Sequence, residues 1–68
     1  MDNNTFQLAT LWRYETAAEY LGISPQHLRR KVMLHEVPHL KPFGPHGRVL
    51  FDPDRLREFV NASRVEAR

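Results

Sequence analysis

No cysteine occurs among the 68 residues. That excludes disulfides and thiolate metal sites as supplements to a small core, and it is compatible with a reducing compartment. Long apolar runs are also missing, since no stretch approaches the ~18 residues that a membrane span requires. The start, Met1-Asp2-Asn3-Asn4, is polar and does not read as a signal peptide. A cytoplasmic location is the expectation. Glycine is scarce, with three in all, and no glycine-rich phosphate loop is present. Four histidines occur, but His35 and His39, which have ligand-like spacing, are separated by the helix-breaking Pro38. Neither a metal site nor a cofactor is expected. No Ser-His-Asp or Cys-His set stands out, and a chain this short cannot wall off a dry pocket. An enzyme is not expected.

What the chain does have is an uneven distribution of charge. The formal net charge is only +2. Between residues 22 and 51, however, Arg29, Arg30, Lys31, Lys41 and Arg48 face a single carboxylate, Glu36. All four histidines (His27, His35, His39 and His46) fall in the same segment. The flanking residues are mildly acidic. A basic middle on an acidic frame is the footprint of a protein that meets an anionic polymer.

The apolar pattern supplies the architecture. Residues 1–10 read as an extended arm, with Thr5, Phe6, Gln7 and Leu8 alternating like an edge strand able to pair with another chain. From Tyr14, the residues Ala17, Ala18 and Leu21 complete one helical face. Gly22 closes that helix, Ile23 supplies the apolar contact beyond it, and Ser24-Pro25 caps and starts a second helix running to about Leu34. Leu28 and Val32 of that helix point inward. Gln26, Arg30 and Met33, flanked by His27 and Arg29, form a face with too few apolar groups to need burial. Pro38 and Pro42 exclude a helix through 36–42. His39–Lys41 and Arg48–Phe51 are expected to be two short strands joined by a glycine-containing tip. Asp52-Pro53-Asp54 then repeats the cap-plus-proline signal and opens a third helix. Leu56, Phe59 and Val60 make its apolar stripe, and Asp54, Arg55, Arg57 and Glu58 its solvent side. Trp12 and Tyr20 read as core aromatics. The domain proper is placed at 11–60, with 61–68 as a tail or helix extension.

Ala17-Ala18-Glu19-Tyr20-Leu21-Gly22-Ile23-Ser24, then Leu28, Val37-Pro38, Gly47-Arg48-Val49, Phe51-Asp52 and Leu56, follow one another in an order that resembles a known family. These residues are similar to the small excisionase-type DNA-binding proteins (recombination directionality factors), related to the N-terminal domain of mercury-resistance-type regulators. The resemblance covers about residues 11–60. Arg13 departs from it, since the family often has Ser or Thr as the cap of the first helix, and the proline-rich tip is longer than in many members.

The resemblance implies an α+β winged helix-turn-helix, with three helices, a two-stranded hairpin and possibly an extra N-terminal strand. It further implies a second helix in the major groove and a hairpin against the adjacent minor groove or backbone. Side-chain chemistry agrees with that use. Gln26 suits adenine, and Arg29 or Arg30 suits guanine. His27 can reach a base or phosphate, the helix start at Ser24 can hold a phosphate, and Lys31, Lys41 and Arg48 suit phosphates. His46 sits at the tip of the wing. The expected partners are double-stranded DNA, a site-specific integrase, and further copies of the chain head to tail on tandem sites, bending the duplex in a bacterial host cell. Membrane binding and a small-molecule substrate are not expected. The alternative is a small phage or bacterial transcriptional regulator with the same DNA-binding surface.

Overall fold

A computed structural model describes residues 10–65. The arm at Thr5, Phe6, Gln7 and Leu8, and the end of the C-terminal tail, lie outside the described residues. Three helices follow in order: α1 (Tyr14–Leu21), α2 (Pro25–Met33) and α3 (Pro53–Ala62).

Local chemistry accounts for the ends of α1 and α2 and for the starts of α2 and α3. Gly22 takes the left-handed conformation at φ 76°. Its N–H donates to Glu19 O (3.2 Å) and the Ile23 N–H to Ala18 O (3.1 Å), which satisfies the last carbonyls of α1. Ser24 Oγ then accepts from the His27 N–H at 3.0 Å, and Pro25 fills the first helical position, where no N–H is needed. Asp52 and Pro53 repeat the arrangement at α3, with Asp52 Oδ1 accepting from the Asp54 N–H at 3.0 Å. The end of α2 falls where expected, with Leu34 as its C-cap, but the closing geometry was not foreseen. His35 adopts φ 58°, the single positive value outside glycine among the described residues. There its N–H reaches Val32 O (2.9 Å) and the Glu36 N–H reaches Lys31 O (2.9 Å), the same closing pattern that Gly22 makes on α1.

The expected α+β fold with a two-stranded wing is not what forms. Among the described residues there is no strand and no sheet, and the domain is all-helical. Two isolated antiparallel bridges form, Leu40 with Leu50 where the two strands were expected to pair, and Phe51 with Trp12, which lay in no expected strand. Each is a single residue pair exchanging both backbone hydrogen bonds, at 2.8 and 2.9 Å for the first and 2.8 Å twice for the second. Proline stops them from growing. In an antiparallel ladder the next hydrogen-bonded pairs beyond Leu40–Leu50 would be 42 with 48 and 38 with 52. Pro42 and Pro38 occupy those positions and have no N–H to give. Beyond Trp12–Phe51, one neighbouring position is Pro53 and the other is Tyr14, already in α1. Between the bridging leucines the chain makes two successive turns, with the Gly44 N–H donating to Lys41 O (3.1 Å) and the Gly47 N–H to Gly44 O (3.0 Å). The second is so tight that a Cβ on Gly47 would lie 2.9 Å from both Phe43 Cβ and Phe43 O.

The core collects Ala17, Ala18, Leu28, Val32, Val37, Phe51 and Leu56, with Trp12, Tyr14, Leu21, Ile23, Val49 and Phe59 packed around them. Ala17 and Ala18 are essentially inaccessible and let α1 lie closely on α2. Phe51, Leu28 and Leu56 are the largest wholly buried side chains, one contributed by each of the loop, α2 and α3. Two expected core residues are more exposed than anticipated. Val60 is 42 % exposed, and Tyr20, 41 % exposed, lies tilted against Trp12 with ring centroids 5.4 Å apart. No helix among the described residues is long and apolar enough to cross a membrane.

Candidate nucleic-acid interface

Helix α2 is divided along its length. Leu28 and Val32 are buried, whereas Ser24, Gln26, His27, Arg29 and Arg30 are all exposed. Arg29 and Arg30 make no ion pair among the described residues. Lys31 differs from them. It is half-buried, and its Nζ lies 3.2 Å from Glu36 Oε1, so the one carboxylate of the basic segment is spent on one of its five cations. Such a pair, partly open to water, holds Lys31 only weakly.

The start of α2 offers little to an anion. Pro25 has no N–H, and the His27 N–H is taken by Ser24 Oγ, so Ser24 serves the helix as its cap. The start of α1 is different. Arg13 is its N-cap and forms no side-chain capping bond, leaving the first-turn amides without that partner.

A cleft of about 350 Å³ opens at this end of α1, lined by Arg13, Tyr14, Glu15, Arg29, Gly47, Arg48 and Val49. The Arg29 guanidinium carbon lies 4.6 Å from the centroid of the Tyr14 ring, a cation–π contact. Tyr14 in turn meets the buried Phe51 edge-on, with centroids 5.4 Å apart and planes at 74°. One guanidinium is thereby tied through two rings to the core. Burial pushes the Tyr14 phenol above its ordinary pKa and the positive charge of Arg29 pulls it partly back, so the hydroxyl keeps its proton at neutral pH.

The remaining candidates lie on the loop between the helices. Lys41, His46 and Arg48 are exposed, and of these Arg48 lines the cleft, as Arg29 does. They are carried by consecutive turns rather than by a hairpin. His35 and His39 do approach each other, with ring centroids 5.9 Å apart, and His39 Nδ1 lies 2.8 Å from Val37 O. No group of three or more potential metal ligands forms among the described residues. Arg13 was not among the residues expected to act. Its one sequence signal was a basic side chain standing where a capping hydroxyl would be usual. None of the family models, curated proteins or solved structures compared with the chain matches it.

Proposed function

We propose that this protein binds double-stranded DNA without catalysing a reaction on it, presenting the exposed face of α2 to the major groove. The observation that carries the reading is the division of α2. Gln26, His27, Arg29 and Arg30 stand in solvent with neither arginine ion-paired among the described residues, while Leu28 and Val32 behind them fix the helix to the core. An exposed row of hydrogen-bonding and cationic side chains on a rigidly backed helix is what base readout requires. Arg30 and Gln26 read base edges in this proposal, and Lys41 and Arg48 contact the backbone. With about four or five phosphate contacts, a single copy binds modestly, and neighbouring copies on tandem sites supply the remaining affinity.

Within DNA-binding proteins, the order of residues 17–56 favours an excisionase-type role. In that role several copies bend the duplex and direct a partner integrase toward excision, and the arm at residues 5–8 contributes to the contact between copies. The test is selection of bound duplexes from a randomised pool, followed by mobility of the recovered site placed at different positions along a fragment. Directly repeated motifs that bend the DNA are the expected result. A single unbent motif would assign the chain to transcriptional control instead, and recovery of no common motif would remove sequence-specific binding altogether.

A further inference from the structure

We infer that the cleft at the start of α1 is a binding site for one tetrahedral oxyanion of the phosphate class, held by Arg13, Arg29 and Arg48. Three arginines from three separate parts of the chain line a single cavity of about 350 Å³. Arg13 comes from the segment before α1, Arg29 from the exposed side of α2, and Arg48 from the loop just after the Gly47 turn. None of the three forms an ion pair among the described residues. Three like charges lining one cavity give it a positive potential that an anion neutralises. The guanidinium fork matches the oxygens of a phosphate group.

Two further features suit the same ligand. The cleft contains the first residues of α1, whose amides lack a side-chain cap, so the positive end of the helix faces the cavity. Arg29 is also placed in advance by its contact with Tyr14, which rests on Phe51, so ordering it on binding costs little. Glu15 lines the cleft as well and opposes an anion. Three cations against one carboxylate leave the site positive, and the opposition of Glu15 is itself testable. A wholly different assignment for Arg29 follows, since a guanidinium held here grips a phosphate rather than a guanine edge.

The identity of the phosphate rests on the proposed function. If the protein binds DNA, the ligand is a backbone phosphodiester beside the groove that α2 enters. If it does not, a free phosphate or phosphomonoester has the same chemistry. The experiment therefore has two arms. In the first, backbone amide and arginine Nε resonances of the whole chain are followed by NMR during titration with inorganic phosphate, with chloride at matched ionic strength as the control. Saturable shifts confined to residues 13–16, Arg29 and Arg48 are expected. Arg13→Gln should weaken phosphate binding about tenfold, the loss of one charge-assisted contact, and Glu15→Gln should strengthen it. Arg13 makes no capping bond, so its replacement spares the fold, and Arg64→Gln provides a control outside the cleft. In the second arm, a mixed-sequence 20-base-pair duplex replaces phosphate.

Phosphate shifts that are linear, spread along the chain, or indifferent to Arg13→Gln overturn the site, even if the duplex binds tightly. Saturable phosphate binding weakened in Arg13→Gln, with no duplex binding, upholds the site and assigns it to a free phosphate, while removing the DNA reading. Phosphate binding together with a matching loss of duplex affinity in Arg13→Gln upholds both.

Discussion

Helices α2 and α3 begin with the same device, a capping side chain followed by proline, and each is anchored by one wholly buried leucine. Their solvent faces differ. On α3 the charges are mutually satisfied, with Arg55 paired to Glu58 at 3.2 Å and Arg57 to Asp54, both pairs three residues apart on the helix. Among the described residues the only ion pair on α2 is that of Lys31 with Glu36, beyond the helix end, and Arg29 and Arg30 have no carboxylate partner. Equal arginine content thus produces a self-contained surface on one helix and an unsatisfied one on the other. Surface charge indicates a partner only where the protein itself leaves it uncompensated.

Removing the anchors has the largest expected effect. Leu28→Ala and Leu56→Ala should each cost about 2–5 kcal/mol in urea denaturation, comparable with the whole stability of a domain this small. A loss below about 1 kcal/mol for Leu56→Ala alone, against the usual cost of a core truncation, would mean that α3 is not part of the cooperative unit, and the two helices could no longer be compared as equals. Next come the solvent faces themselves. Arg30→Ala should weaken duplex binding by about 1–3 kcal/mol and relax the preferred sequence. Arg57→Ala, whose guanidinium is already held by Asp54, should leave affinity unchanged. Equal losses would show that charge alone, and not its placement, governs binding. The shared starting device is then probed by Ser24→Ala and Asp52→Ala, each expected to lower stability by about 1 kcal/mol. Smallest is His35→Gly, expected to raise stability by up to about 1 kcal/mol by relieving the left-handed backbone at the end of α2. A loss of stability would instead show that the contact of His35 with His39 outweighs that strain.

Helix positions were legible because the signals are local. Gly22, Ser24-Pro25 and Asp52-Pro53 each act within one turn of the chain, and the buried faces at Ala17/Ala18, Leu28/Val32 and Leu56 follow from a 3.6-residue period. The hairpin was misread because its apolar pattern suited strands while the parity of its prolines did not. Pro38 and Pro42 both sit two residues from Leu40, where a ladder would next need a donor, so a sequence that excludes a helix there also excludes the sheet. The left-handed closure of α2 at His35 was not read from the sequence, because positive φ is uncommon outside glycine even though histidine is among the residues enriched there. The cleft escaped notice for a different reason: Arg13, Arg29 and Arg48 lie far apart in sequence, and only the packing of α1 on α2 and the fold of the loop bring them together.

In the proposed function, the unsatisfied face of α2 and its neighbouring cations receive a nucleic acid duplex. The most direct measurement of this is the affinity of the whole chain for a labelled 20-base-pair duplex across a series of salt concentrations. Binding should weaken steadily as salt rises, with a slope of roughly −4 on logarithmic axes. Absence of binding at the lowest salt, or an affinity indifferent to salt, would contradict it.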